Sequence, residues 1–467
     1  MTVLSCLDGK LESFQYSYPQ VKLNRRKIMD KKNQKSASNG IPKKKPISAE
    51  DFYAYAPQNK FIYIPTGELW PKASVDARFN SNKGIRLSDW LSKNRSIEQM
   101  TWVPGESKII KDKVITNGGW QSKPGVHVFN HYKAPSTAPG CSSKATPWID
   151  HIRLVYPDDS DHLISWFAHR VQFPGVKVNH AIVLGGSQGI GKDTILEPVR
   201  MAIGPWNFHD ITPLQLMGRF NGFIKSVILR ISEARDLGPS DRYSMYEQLK
   251  TYIAAPPMVL MCDEKNTKEY GVLNLCGIVI TTNYKTGGIY LPADDRRHYV
   301  AWSYLNRDHF EDDYWEKLWG WYEDGGYEHV ATYLKEYDLS HFDPKAPPTK
   351  TNAFWDIVDS DRAIEDARMA DALDRLKNPV VVTIEMISNA SEEDFRNWIN
   401  DSRNRRQIPN RFEEAGYVKV RNPEAKDGLW KIFGKRVVVY GQKKLSEQNR
   451  ISAARQLISN NMLPPVK

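Results

Sequence analysis

The chain has 467 residues and a mass of 53.6 kDa, which at about 150 residues per domain excludes a single small module and suggests about three folded units. Hydrophobic residues are 40%, aromatics 11% and charged residues 26%, with a mean hydropathy of -0.56, so the composition is that of a soluble globular protein with cores to bury. No apolar run approaches the ~18 residues of a membrane span, and residues 1–14 lack the charged-then-apolar order of a signal peptide, so no membrane partner and a cytoplasmic location are expected.

Cys6, Cys141, Cys262 and Cys276 are scattered without a CxxC pair, which argues against a zinc site or a disulfide framework and for packing roles. The 65 Lys and Arg outnumber 55 Asp and Glu by 10, unevenly: residues 1–50 carry 11 against 4 and residues 371–467 carry 18 against 12, leaving a slightly acidic middle. Phosphate neutralisation needs clustered cations, so polyanion contact is expected at the two ends; for Lys43, Lys44 and Lys45 a solvated tail reads equally well.

In chain order, residues 1–46 are polar, Lys-rich and aperiodic, a basic disordered tail. Residues 47–145 alternate short apolar runs, such as 61–64 and 126–129, with Gly and Pro turns, and read as a β-rich N-terminal domain. Residues 146–180 form a helical lead-in, where Asp158, Asp159 and Asp161 before Leu163, Ile164, Trp166 and Phe167 suit a helix N-terminal cap rather than a metal cage.

Residues 181–305 alternate apolar strands at 181–184, 227–229 and 278–280 with helical stretches, an α/β core. Residues 306–375 form a helical extension and linker, with Tyr314, Trp315, Leu318, Trp319 and Tyr322 on one face as a packing stripe, followed by a loosening Pro-containing stretch at 344–351. Residues 376–445 read as helix, helix and two strands, and 446–467 as a C-terminal tail, with no internal repeat anywhere.

The strongest motif is GGSQGIGKDT at 185–194, leaving the strand at 181–184 for an amphipathic stretch. Gly186, Gly191 and Lys192 fit GxxxxGK, a loop whose amides at Ser187, Gln188, Gly189 and Ile190 curl around phosphate while the Lys reaches the outer phosphates. Asp193 stands where Ser or Thr is usual; Thr194 is then the candidate hydroxyl for Mg²⁺, and Pro198 is expected to interrupt the helix early.

Further on, the strand at 227–231 ends in Ser232 and Glu233, placing a carboxylate where a base could orient water toward a γ-phosphate. The strand at 278–282 ends in Asn283, an amide able to sense that phosphate, though such an Asn also serves simply as a turn residue. Arg296 and Arg297 offer adjacent guanidinium groups for a neighbour's γ-phosphate, or an Asp–Arg surface pair with Asp294 and Asp295. Arg230 within its strand has no assigned role.

In this order the motifs resemble a superfamily 3 helicase of the AAA+ class, in particular the helicase part of phage and plasmid primase–helicases. The resemblance covers about residues 145–345 and includes the WFAHRVQ run at 166–172, GRFN at 218–221 and LSHFDP at 339–344. It implies a P-loop AAA+-like α/β ATPase core, ATP with Mg²⁺ as cofactors, catalytic Lys192 and Glu233, sensor Asn283 and an arginine finger at Arg296 or Arg297. It also implies a homo-oligomeric ring, a hexamer, around single-stranded or forked DNA, in a phage or mobile-element protein of a bacterial host. The DNA-contacting hairpin that the family carries matches residues 259–270, with Lys265 and Lys268 at a polar tip that could equally be a solvated turn carrying Asp263, Glu264 and Glu269.

The segment from Ser391 to strands at 417–421 and 429–440 looks like a winged helix, with Arg403, Arg405, Arg406, Arg411, Lys426 and Lys431 as DNA-contact candidates; such modules also dock proteins. The first 145 residues are too short, and too poor in clustered acids, for primer synthesis, so any primase or polymerase would be a separate partner. The reading is an ATP-dependent DNA helicase for replication. Its alternatives are a P-loop nucleotide kinase and a non-enzymatic DNA-binding replication factor with a degenerate ATP site, which Asp193 and Ser232 would suit.

Overall fold

Short runs of aromatic and β-branched residues build the first layer. In the computed structural model, which describes residues 47–78, 86–232, 239–285, 288–432 and 434–461, the chain divides into residues 1–47 and 48–467. The tail expected at 1–46 lies outside the described residues.

Strands β1 (Phe52–Tyr55), β2 (Lys60–Tyr63) and β3 (Glu68–Pro71) form an antiparallel meander, and after helices α1 (Lys72–Asp76) and α2 (Leu87–Asn94), β4 (Ser96–Ile97) adds parallel to β1. A second sheet has the order β5-β7-β6, from β5 (Gln99–Thr101), β6 (Ile109–Thr116) and β7 (Gly119–Asn130). The β6–β7 hairpin turns at Asn117-Gly118, and the residue that follows, Gly119, takes the left-handed region (φ 103°) that favours glycine. A bulge at Asp112 (φ 58°) holds its carboxylate to accept the Gly125 amide at 2.7 Å.

Helices α3 (Thr146–Val155) and α4 (Ser160–Gln172) follow. Asp159 occupies the N-cap position of α4, but makes no side-chain cap bond; its carboxylate instead accepts the Tyr299 hydroxyl at 2.7 Å. The acidic run thus ties a helix start to the central sheet.

That sheet comprises β8 (Ala181–Gly186), β9 (Phe208–Ile211), β10 (Ile228–Ile231), β13 (Gly277–Thr282) and β14 (His298–Ser303), in the order β14-β8-β13-β10-β9 with every neighbour parallel. All residues of β8 and β13 are buried, as parallel strands covered on both faces must be. The connections carry α5 (Lys192–Ile203), α6 (Pro213–Leu216), α7 (Pro239–Ile253) and the antiparallel hairpin β11 (Val259–Cys262) with β12 (Tyr270–Leu273).

Pro198 does not interrupt α5, which continues to Ile203. A proline at 198 removes the N–H that would bond to the carbonyl of Thr194. Here that carbonyl accepts the buried Tyr322 hydroxyl at 3.0 Å, so no acceptor is stranded and the helix runs on. Tyr322 follows α8 (Tyr314–Trp321), at a kink through Gly325 (φ 92°) that leads into α9 (Tyr327–Glu336).

The stretch at 344–351 is anchored: the Asn179 amide donates to the Pro344 carbonyl, Lys350 Nζ to the Ala293 carbonyl and Thr351 Oγ1 to the Val300 carbonyl. Then α10 (Asn352–Arg375), about 36 Å long at 1.5 Å per residue, joins two cores. Phe354, Ile357 and Val358 belong to the large apolar cluster that begins at Tyr55, whereas Met369, Ala372 and Leu373 belong to a second cluster reaching Tyr440.

The second cluster is enclosed by β15 (Val381–Thr383), α11 (Ile384–Ala390), α12 (Glu393–Asn400), α13 (Ile408–Glu414) and β16 (Tyr417–Val420), completed by β19 (Val439–Gln442) in an antiparallel sheet β15-β19-β16. The long strand expected at 429–440 is divided. Gly434 (φ 80°) turns β17 (Trp430–Ile432) onto β18 (Lys435–Val437) as a separate hairpin before β19 begins. Helix α14 (Glu447–Asn461) ends the described chain, and among the described residues no helix is long and apolar enough to cross a membrane.

Candidate functional site

The C-terminal ends of β8, β10 and β13 converge on a cavity of about 740 Å³, the place where parallel α/β sheets present loops and helix N-termini to ligands. Its floor is the glycine-rich loop between β8 and α5. Gly191 is the N-cap of α5 with φ 89°, and a Cβ there would lie 2.4 Å from His151 Nε2 and 2.7 Å from Trp315, so both backbone and space demand glycine. His151 clamps this point: the Tyr314 hydroxyl lies 2.8 Å from Nδ1, and Nε2 lies 3.3 Å from the Gly191 carbonyl, which can only accept. Burial lowers the His151 pKa to about 4, keeping the ring neutral.

Lys192, nearly buried, donates to the carbonyls of Gly186 (2.7 Å) and Ser187 (2.8 Å) and to Asn283 Oδ1 (2.7 Å). Burial lowers its pKa to about 8, with Asp193 opposing and Arg230 adding to the shift. The loop lysine and the amide at the tip of β13, 91 residues apart in sequence, are thus in direct contact. Thr194, 5% exposed, lies in the cavity wall.

Arg230, which sequence reasoning left without a role, faces this cavity from β10. Its guanidinium meets Asp193 Oδ1 at 2.5 Å and Asp210 Oδ2 at 3.3 Å, and its Nε donates to Thr281 Oγ1 at 3.4 Å. The two departures from a usual loop, Asp193 and an Arg in an apolar strand, are therefore one ion pair. An unexplained charge in a strand together with an unexpected carboxylate after the loop lysine was the signal available in the sequence.

Sequence reasoning also missed Arg307, which lines the cavity beside Gly189, and it read Trp315 and Trp319 as packing only. Trp315 does pack, edge-on to His151 and against Phe310, but both tryptophans form part of the cavity wall and Trp319 is 38% exposed. Ser187 and Ile190 complete the loop, with Ile190 buried and Gln188 and Gly189 on the cavity.

Other expected residues lie elsewhere. Glu233 is outside the described residues; Ser232, just before it, donates its amide to the Ile211 carbonyl at 2.9 Å. Arg296 and Arg297 precede β14, whose first residue pairs with Ala181 and whose last pairs with Gly186, so they sit at the opposite ends of the strands from the loop, about 20 Å away at ~3.3 Å per residue.

Lys265 and Lys268 are exposed between β11 and β12. The nearby acids are engaged by other cations, Asp263 by Arg219 (3.0 Å) and Glu264 by Lys225 (2.8 Å), and Asn221 brackets the hairpin through the Met261 carbonyl and the Asp263 amide. Arg405, Arg406 and Lys426 are exposed on the C-terminal module. Arg411 is not: it is 6% exposed and pairs with Glu365 and Asp366 of α10, so it fastens the module inward. Arg403 is likewise engaged, by Asp401 and over the Tyr243 ring at 4.6 Å.

The fold so defined is a mixed α/β architecture around a five-stranded parallel sheet with a glycine-rich loop at its centre. A family model described as a family of unknown function (DUF5906) matches residues 184–297, from the end of β8 to the approach of β14. Comparison with curated proteins returns no match. Among solved structures, the apo C-terminal region of NrS-1 is similar with a TM-score of 0.53 and 15% identity over 84% of this chain and 95% of that one. Its A form gives 0.52 at 15% identity over 84% and 96%. A JCV helicase structure gives 0.27 at 12% identity over 56% of this chain and 67% of that one. The chain shares its fold with the NrS-1 region.

Proposed function

We propose that the chain is an ATP-driven DNA motor of the superfamily 3 helicase type, working in replication of a phage- or plasmid-like genome. The observation that carries this reading is the contact of Lys192 with Asn283, because it joins a glycine-rich loop at a helix N-terminus to a neighbouring strand tip that would feel the outer phosphate. The residues fit a nucleoside triphosphate. The amides of the loop and the N-terminus of α5 favour its phosphates, Lys192 exchanges carbonyl partners for phosphate oxygens, and Trp315 and Trp319 offer faces to a base. Thr194 would hold Mg²⁺ together with the phosphates, and the ion would neutralise phosphate charge there.

In this account Glu233 orients the attacking water and Asn283 binds the γ-phosphate until hydrolysis releases it. Arg296 and Arg297 are too distant to reach their own chain's loop, which supports their use across a subunit interface and hence a ring, proposed to be a hexamer. The three-stranded sheet with α11, α12 and α13 supports a winged-helix-like module whose Arg405, Arg406 and Lys426 contact DNA phosphates, with Lys265 and Lys268 on the hairpin as the motor's own contacts.

The test is ATP hydrolysis with and without single-stranded DNA. Hydrolysis is expected to be stimulated by DNA and to fall at least about 100-fold in Lys192→Ala and Glu233→Gln, the scale of losing a charge-stabilising or proton-handling group. An inert wild type would reject the motor in favour of a DNA-binding factor, and phosphoryl transfer to a nucleotide acceptor would favour a kinase.

A further inference from the structure

Away from the loop cavity, residues from four distant segments enclose a groove of about 720 Å³ between the turn at 65–67, the end of β7 and the start of β9. Three buried polar atoms on its lining residues have no hydrogen-bond partner: His131 Nε2, Asn207 Oδ1 and His209 Nδ1. Asn207 is only 1% exposed and spends its amide protons on the carbonyls of Lys133 (2.9 Å) and Ile203 (2.8 Å), leaving its oxygen unused. Leaving one such atom unsatisfied costs about 1–3 kcal/mol, so three behind one groove give its wall hydrogen-bonding capacity that the protein's own groups do not use.

The remaining lining defines a ligand class. Lys108, Lys133 and Lys225 bring three cations against a single carboxylate, Glu264, which Lys225 already pairs with. Trp206 supplies aromatic surface, 39% exposed with the Lys133 ammonium 3.9 Å from its ring centroid, beside the half-buried Tyr132, which the buried Trp102 backs edge-on. Burial lowers the His131 pKa to about 3 and that of His209 as well, so both rings are neutral hydrogen-bonding groups rather than further cations.

Three cations beside an exposed indole in one groove match the phosphates and a base face of a nucleic acid. A second cavity of about 670 Å³ shares Thr66, Gly67, His131, Lys225 and Glu264 with the first and continues to Lys60, Trp70 and Lys265 at the β11–β12 tip. Two adjoining cavities suit several successive nucleotides rather than one, and stacking on tryptophan requires unpaired bases.

We propose that this double groove is the track for a single-stranded nucleic-acid segment, the motor reading supplying only the reason for the strand to be there. The track is tied to the candidate ATP site through the chain: Trp206 and Asn207 connect α5 to β9, which holds His209, and Lys225 leads into β10, which carries Arg230.

The test is anisotropy of a labelled oligo-dT with the full-length protein. Trp206→Ala is expected to weaken binding about tenfold, and Lys133→Ala to lower the magnitude of the log–log salt slope by about 0.7, with basal ATP hydrolysis within about twofold of wild type in both. Photocrosslinking of a bromouracil oligonucleotide to the wild type, mapped by peptide sequencing, is expected to mark Tyr132 or Trp206, independent of how any variant folds. Full binding by both variants with crosslinks confined to 376–445 would overturn the track while leaving the motor untouched. Competition by free dTMP as strong, per mole, as by the oligonucleotide would overturn it in favour of a mononucleotide pocket. Loss of hydrolysis in Lys192→Ala, measured in parallel, tests the motor alone.

Discussion

Removing one oxygen from Tyr322 should expose how α5 tolerates its proline. Tyr322 is fully buried, and its hydroxyl is the donor to the Thr194 carbonyl that Pro198 deprives of its helical partner. In Tyr322→Phe the ring keeps its stacking on Tyr327 at 5.3 Å, so the change isolates the hydroxyl and leaves a buried acceptor unpaired. That costs about 1–3 kcal/mol, a fall in melting temperature of roughly 2–6 °C at about 2 °C per kcal/mol for a large unit. In a Pro198→Ala background the residue 198 N–H is restored and can donate to Thr194, so the same Tyr322→Phe change should then cost less than about 0.5 kcal/mol. Differential scanning calorimetry of the four proteins closes the cycle. Equal losses in both backgrounds would refute the idea that Tyr322 replaces the missing helical bond.

Acid should destabilise the protein through its buried histidines. Burial holds His131 and His180 at about 3 and His151 and His162 at about 4, against an ordinary 6.5. The unfolded chain therefore binds protons that the folded one does not, so this stability is complete above about pH 6.5 and is lost as pH falls, down to about 4 for His151 and His162 and about 3 for His131 and His180, by up to about 1.4 kcal/mol per pH unit for each histidine. Denaturant titrations at pH 7.5, 6 and 5 should show a falling midpoint; a flat profile would count against buried neutral rings. At the loop, Arg230→Ala should weaken nucleotide binding about tenfold by leaving Asp193 unpaired beside the phosphates, and Asp193→Ser in that background should recover much of the loss. Binding of a fluorescent ATP analogue measures both, and an unaffected Arg230→Ala would show that the ion pair is incidental.

Local patterns made the scaffold legible. Apolar runs at 181–184, 227–231 and 278–280 are the three inner strands, β8, β10 and β13, and the hairpin at 259–270 occurs where apolar flanks meet a polar tip. What was not legible depends on partners far away in sequence. The continuity of α5 rests on Tyr322, the role of Arg230 on Asp193 and Asp210, and the inward turn of Arg411 on α10. The proposed strand track escaped notice because charge was summed along the chain. Lys108, Lys133 and Lys225 are isolated in a middle segment that is acidic overall, and only the fold gathers them. The expectation that polyanion contact belongs to the ends therefore acquires a competitor inside the body.

Strand displacement on a forked DNA duplex distinguishes an ATP-driven motor from a passive DNA binder. ATP-dependent displacement is expected from the wild type and none from Lys192→Ala, with the variant still binding single-stranded DNA. Displacement that survives Lys192→Ala, or ATP turnover indifferent to DNA and unable to separate strands, would contradict the motor reading.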